Sequence, residues 1–302
     1  MSHDAIIVGG SFAGLSAAMQ LGRARKSVLV IDSGRPRNRF SAASHGFFGQ
    51  DGASPAAMIA GARRQVAAYP SIQFADDKAV QASRDDTGFA VTLAGGTVAH
   101  SRKLVLAFGL QDVLPDLPGL RERWGRTVLH CPYCHGYELD RAPLGVLALG
   151  PMAAHQAIIV ADWGPVTLFT DGRDDLDADT RSKLARRAVT IEPARVVALE
   201  GETPALAGVR LADDRLVPVA ALFIGAPTRL GSPIAEQLGC AVESNPFGLM
   251  LVTDTTKQTT VPGVYAAGDV AMAAANVTLA SADGVMAGVQ LHQALIAESA
   301  QG

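Results

Sequence analysis

Ala5-Ile6-Ile7-Val8-Gly9-Gly10-Ser11-Phe12-Ala13-Gly14 is the stretch that decides the fold. The apolar run from Ala5 to Val8 reads as a short strand, and it ends on a pair of glycines. Helix-forming residues follow from Ala13 to about Arg25, and a second apolar run, Val28 to Ile31, stops at Asp32. Strand, glycine turn, helix, strand and acid, in that order, make one βαβ unit of a parallel sheet. The turn matches G-x-G-x-x-G with Ser11 in the place of the middle glycine. Gly9 permits the tight turn and Gly14 lets the helix pack close to the strand. The free N–H groups and dipole at the helix N-terminus then favour a pyrophosphate. Asp32 lies 23 residues after Gly9, where a carboxylate accepts from a ribose hydroxyl pair. The glycines alone are compatible with a tight turn that binds nothing. With strand, helix and Asp32 in place, Gly9, Ser11, Ala13, Gly14 and Asp32 are expected to hold a dinucleotide.

Working outward, a second unit of the same design starts near Leu144. Its strand is Gly145–Leu149, its turn Gly150-Pro151, its helix about Met152–Asp162, and its next strand Val166–Thr170, ending at Asp171. Between the two starts lie a helix near Pro55–Tyr69 and alternating segments such as Phe89–Leu93 and Lys103–Phe108, which read as an antiparallel meander. The second unit has a matching tail from Val189 to Ile224. Pro115 to Gly119 and Gly225-Ala226-Pro227 have linker composition, and a last helix is expected over Ala282–Glu298. The second domain is therefore expected to be inserted into the first. Residues 1–114 and 228–302 would make one discontinuous dinucleotide domain, and 115–227 the insert.

Composition narrows the function classes. The chain has 302 residues, enough for about two domains. At 48% hydrophobic and 18% charged it is not a disordered or strongly polar chain. The formal charge of −3 and the lack of a Lys/Arg run leave no electrostatic footprint for nucleic acid. Three cysteines are too few for a disulfide framework and favour a reduced, cytoplasmic compartment. No signal-peptide pattern precedes the first strand. Ala142 to Ala161 has His155 as its sole ionisable side chain, which by length resembles a membrane span. Pro143, Gly145, Gly150 and Pro151 instead break it into strand, turn and helix, so no membrane role is expected.

Cys131-Pro132-Tyr133-Cys134-His135 carries the chemistry. Two cysteines at C-x-x-C can close a disulfide across one helical turn. If a helix begins here, Pro132 suits its first turn and the N–H groups favour a thiolate. His135 is a proton donor and acceptor near neutral pH. A zinc site would need two further ligands; His130 and His135 are awkwardly close for that role, and no metal is expected.

Thr259-Thr260-Val261-Pro262-Gly263-Val264-Tyr265-Ala266-Ala267-Gly268-Asp269 resembles the second flavin motif of the two-dinucleotide-domain flavoproteins, which implies FAD in the first site. In those proteins the Gly-Asp pair meets the ribityl chain and phosphates, so Gly268 and Asp269 are implied contacts. Asn276 falls where the family has a glutamine, and Asn276 and Val277 would meet the flavin ahead of the last helix. The order of motifs along the whole chain resembles the low-molecular-weight thioredoxin reductases. The fold class implied is α/β, with two Rossmann-like dinucleotide-binding domains, the second inserted into the first. The resemblance implies that Cys134 faces the flavin, that Cys131 exchanges with substrate, and that the protein is a homodimer. His45 to Gln50 occupies the region that wraps the flavin; Gln50 contacts the ring or simply packs in a loop.

Two features depart from the reductase pattern. Bacterial reductases carry an Asp after the second cysteine; His135 there resembles the branch containing the gliotoxin and holomycin dithiol oxidases. In the second turn, Met152 and His155 stand where small residues admit a pyrophosphate, and Asp171 would repel a 2′-phosphate although it suits a plain ribose. A vestigial fold is preferred to an NADH site, so NAD(P)H is doubtful. The expected function is an FAD-dependent thiol-disulfide oxidoreductase passing electrons between a dithiol, Cys131/Cys134 and FAD. The dithiol could be a small molecule, a peptide or a thioredoxin-like protein. A reductase fed by NADPH, NADH or ferredoxin is the enzyme alternative, and a flavin-binding redox sensor the non-enzyme one.

Overall fold

A computed structural model of the chain describes residues 2–173, 175–245 and 248–300. The chain divides into two compact units, residues 1–39, 53–111 and 228–302 forming one and residues 40–52 and 112–227 the other. Residues 40–52 thus group with the second unit, whereas the sequence had placed them with the first.

The first unit is built on β1 (Ser2–Val8), α1 (Phe12–Arg23), β2 (Val28–Ile31), α2 (Pro55–Ala67), β3 (Ile72–Ala75), β4 (Ala79–Asp85), β5 (Gly88–Leu93), β6 (Val98–Leu106) and β7 (Leu110–Asp112). Its main sheet runs β3-β2-β1-β6-β5-β4. β1, β2 and β3 are parallel, with β6 parallel to β1, and β4 and β5 complete an antiparallel meander. All four residues of β2 are buried, the continuous apolar run of a parallel strand covered on both faces.

The second unit repeats the design. Its strands are β8 (Val128–Leu129), β9 (Leu144–Leu147), β10 (Val166–Phe169), β11 (Thr190–Glu192), β12 (Val196–Glu200), β13 (Gly208–Leu211), β14 (Leu216–Val217) and β15 (Ala221–Ile224). Its helices are α3 (Pro132–His135), α4 (Ala153–Val160) and α5 (Ala178–Arg186). A parallel sheet β11-β10-β9-β15-β8 stands beside an antiparallel sheet β12-β13-β14. The long apolar stretch near residue 150 resolves into β9, a turn and the eight-residue α4. Among the described residues, no helix is long and apolar enough to cross a membrane.

The chain re-enters the first unit through β16 (Thr228–Leu230), α6 (Ile234–Gln237), β17 (Val242–Asn245), β18 (Gly248–Leu251), β19 (Val264–Ala266) and α7 (Val277–Ser299). β16 pairs with β7, and β19 joins the main sheet parallel to β6. At the other unit's own ends, Val113 N–H donates to Pro227 O at 2.8 Å. α7 begins five residues before the expected Ala282, because Asn276 caps it by accepting from Leu279 N–H at 2.7 Å. Gly284 and Gly288 on α7 face Ala13 and Ala17 on α1. A Cβ at Gly284 would lie 2.1 Å from Ala13 O, and one at Gly288 would lie 2.8 Å from Ala17 O. The missing side chains let the two helices touch backbone to backbone.

Candidate active site

In the first unit the glycine turn is built by close approach. A Cβ at Gly9 would lie 2.3 Å from Ala107 O, and one at Gly14 would lie 1.8 Å from Gly9 O. Gly9 also takes φ +110°, outside the range of ordinary side chains. Ser11 is the N-cap of α1 but makes no side-chain capping bond, and the first turn has no acid. The helix N-terminus keeps its positive end for an anion. Asp32, just past β2, lies beside the turn: a Cβ at Gly10 would sit 2.8 Å from its Cβ.

The C-terminal part of the chain converges on the same turn. Gly268 takes φ +80°, and a Cβ there would meet the Ala13 Cβ at 2.8 Å. Asp269 receives the Arg37 guanidinium at 3.3 Å. Asn276 and Val277 open α7, whose Gly284 rests on Ala13. The fold thus brings together Gly9, Ser11, Ala13, Gly14, Asp32, Gly268 and Asp269, and Asn276 and Val277 start the helix whose Gly284 rests on Ala13. Chain-packed glycines, an uncapped helix end and a neighbouring carboxylate fit a dinucleotide such as FAD. Arg37 and Lys257 were missed by sequence reasoning. Lys257 Nζ lies 2.9 Å from Asp283 Oδ1, and Asp283 Oδ2 accepts from Gly268 N–H at 2.9 Å. No local motif announces either cation.

The second unit holds the sulfur centre. Cys131 and Cys134 form a disulfide with Cα atoms 5.3 Å apart. Cys131 is the N-cap of α3 and Pro132 its first residue, as the spacing predicts, although the helix lasts only four residues. Gly136 fits under Trp163: a Cβ there would lie 2.6 Å from the indole ring. Tyr133 meets the same indole edge-on at 5.4 Å. Gln156 of α4 donates to His130 O at 2.9 Å. Trp163 and Gln156 therefore seat the redox turn, a role that depends on tertiary packing and has no signature in sequence. Burial pushes the His135 imidazole below its ordinary value; the Glu138 carboxylate opposes that shift and the His45 charge adds to it. A shift in this direction favours the neutral imidazole at pH 7. Gln50 is exposed in the 40–52 segment and belongs to this unit, not to the one that contains the glycine turn. Cys240, the remaining cysteine, is buried, and burial raises its thiol.

The second glycine turn lacks the cradle of the first. A Cβ at Gly150 would meet nothing within 4 Å. Met152 is the N-cap of α4, and His155 points to solvent. Asp171, considered as a ribose acceptor, instead accepts the Val196 N–H at Oδ1, at 2.8 Å. That oxygen closes a turn onto β12. Among the described residues no group of three or more His, Cys, Asp or Glu is placed to hold a metal ion.

Comparison with known proteins agrees with this architecture. The family model described as pyridine nucleotide-disulphide oxidoreductase matches residues 3–287. Thioredoxin reductase tcpT of Claviceps purpurea is 33% identical over 306 residues, covering 98% of this chain and 95% of the relative. The crystal structure of an oxidoreductase from Agrobacterium tumefaciens superposes with a TM-score of 0.94 at 48% identity, over 98% of this chain and 99% of that one. The crystal structure of HlmI gives a TM-score of 0.91 at 37% identity, over 99% of this chain and 94% of that one.

Proposed function

The chain belongs to the pyridine nucleotide-disulphide oxidoreductase family, and from that membership we propose that it oxidises a dithiol, passing electrons through Cys131/Cys134 to FAD rather than drawing them from a nicotinamide. The contrast between the two glycine turns carries this reading. The first is closed so tightly that a methyl group at Gly14 would overlap a carbonyl. The second is open at Gly150, and Asp171 Oδ1 is committed to the backbone.

FAD, held by Gly9, Ser11, Ala13, Gly14, Asp32, Gly268, Asp269, Asn276 and Val277, would supply a two-electron acceptor. The protein's own chemistry is thiol-disulfide exchange. A substrate thiolate attacks Cys131 Sγ, the Cys131–Cys134 bond breaks, and Cys134 leaves as a thiolate. The second substrate thiolate then attacks the substrate sulfur bound to Cys131 and releases Cys131. The substrate has lost two electrons and two protons; the electrons reside in the reduced cysteine pair. His135, neutral and next to Cys134, takes up a proton as the pair cycles. Cys131 is the exchanging cysteine and Cys134 the flavin-facing one. A small or peptidic dithiol, a homodimer and a cytoplasmic setting complete the proposal.

The test is anaerobic mixing of the purified flavoprotein with dithiothreitol, NADH and NADPH in separate experiments. Fast flavin bleaching by the dithiol and slow bleaching by both nicotinamides is the expected result. The second reading is a reductase acting toward thioredoxin, favoured by the name of the Claviceps purpurea relative. Rapid bleaching at micromolar NADPH would decide for it.

A further inference from the structure

Gln156 and Trp163 belong to one continuous piece of the second unit. Gln156 lies on α4, and Trp163 lies on the turn that ends it, where its N–H donates to Val160 O at 3.0 Å. Gly164, the next residue, is pressed against the chain ahead of β9: a Cβ there would lie 2.4 Å from Ala142 O. The indole packs on the apolar core that includes Leu129, Leu144 and Val166. From this piece three contacts reach the redox turn, and they bracket its cysteines. Gln156 Nε2 donates to the carbonyl of His130, immediately before Cys131, at 2.9 Å. The Trp163 ring meets the Tyr133 ring, between the cysteines, edge-on at 5.4 Å. It also covers Gly136, two residues past Cys134, where a Cβ would lie 2.6 Å from it. The turn adds a bond of its own, from Gly136 N–H to Pro132 O at 2.7 Å. None of these contacts involves a sulfur atom, so none has to break when the Cys131–Cys134 bond opens.

We propose that Gln156 and Trp163 are positioning residues that keep the two sulfurs within bonding reach and thereby lower the reduction potential of the Cys131–Cys134 pair. Reduction takes up two electrons and two protons, breaks the S–S bond and leaves two thiols. In a loose turn those thiols drift apart, and closing the disulfide again means giving up the freedom they gained. A turn clamped at residues 130, 133 and 136 keeps the cysteine Cα atoms near the 5.3 Å of the disulfide. Closure then costs less entropy, as in any reaction whose partners are already held in place. The clamp therefore favours the disulfide over the dithiol. A pair poised lower is a stronger donor to its next acceptor and a weaker acceptor from its substrate. On the reading that Cys131/Cys134 pass electrons to FAD, on which this consequence rests, the clamp favours the step to the flavin. The shift in potential itself does not depend on that reading.

The test equilibrates the purified, flavin-containing protein with reduced and oxidised dithiothreitol in varied ratio without oxygen. The state of Cys131 and Cys134 is then read by acid quench, alkylation and intact mass. In Trp163→Ala the equilibrium constant for disulfide formation should fall about tenfold, which raises the potential of a two-electron couple by about 30 mV. In Gln156→Ala the fall should be about threefold. Trp163→Phe keeps a ring over Gly136 and should recover about half or more of the logarithmic shift. Lost packing with no effect on the couple would lower the melting temperatures of the oxidised and reduced proteins alike and leave the constant at its parent value. A constant unchanged or raised in either alanine variant, or a Trp163→Phe constant as low as that of Trp163→Ala, would overturn the proposal. Should Trp163→Ala not fold, Gln156→Ala decides alone. Flavin absorbance is recorded in the same mixtures. Reduced cysteines beside a fully oxidised flavin in the parent protein, even in excess dithiothreitol, would refute the dithiol-to-flavin reading, while the constants would still decide the clamp.

Discussion

Lys257 lies with its Nζ 2.9 Å from the Asp283 carboxylate, and that carboxylate holds the backbone N–H of Gly268. The pair bridges the loop before β19 and the interior of α7, and both side chains are nearly out of solvent. Removing one partner strands the other charge. Lys257→Met should cost about 2–4 kcal/mol, somewhat below the range for a fully buried pair. The control is Lys183→Met, which breaks an exposed i,i+4 pair with Asp179 and should change stability by about 0.5 kcal/mol or less. Urea unfolding of the two variants checks the difference. FAD retention should also weaken in Lys257→Met, since the Asp283 carboxylate that accepts from Gly268 N–H loses the cation that holds it in place.

The two glycine turns predict opposite outcomes for the same substitution. Gly14→Ala forces α1 away from Gly9 O and should cost about 1–3 kcal/mol, with loss of bound flavin. Gly150→Ala meets open space and should leave stability and flavin content as they are. Thermal melts and the visible spectrum of the purified variants report both.

Cysteine replacement tests the division of labour at the disulfide. Cys134→Ser should abolish electron flow from dithiol to flavin and still allow Cys131 to form a mixed disulfide with substrate. Cys131→Ser should form no such adduct. Intact-mass analysis after exposure to an oxidised substrate distinguishes them, and an adduct on Cys134 instead would reverse the assignment.

The His135 shift has a sign for stability as well as for activity. Burial holds the folded imidazole below the ordinary 6.5, so the unfolded chain binds the proton first as pH drops. The contribution of His135 is present above pH 6.5 and is lost as pH falls through the folded value. His135→Asn should therefore flatten this part of the acid limb in unfolding measured from pH 7.5 down to pH 5. An unchanged limb would show that the half-buried ring contributes nothing to the fold's pH response.

The first βαβ unit was readable because its signals are local: β1, the glycines, α1 and β2 lie within about thirty residues, each with its own periodicity. Cys131–Cys134 was readable for the same reason. The start of α7 was not. Gly284 looks like a helix opener, yet it sits in mid-helix, where it is needed because Ala13 presses its backbone there. The real start is marked only by the Asn276 cap. The environment of His135 was equally hidden, since His45 and Glu138 are brought together by packing of distant segments. Trp163 carried no motif because its work is to fill the space above Gly136.

Each unit's own termini meet: β7 and β16 are hydrogen-bonded neighbours, and Val113 bonds to Pro227. To the first unit, the polypeptide between these strands is one loop whose ends are already stapled together. Loop-closure entropy grows only logarithmically, about 0.6 kcal/mol for each doubling in length. Exchange of residues 113–226 for a tight turn halves that loop nearly five times over and so lowers the closure cost to the first unit by about 3 kcal/mol. What such a deletion would remove is the partner of the 40–52 segment, left behind on the shortened chain as an orphan whose histidine, His45, keeps Asp51 and loses Glu138.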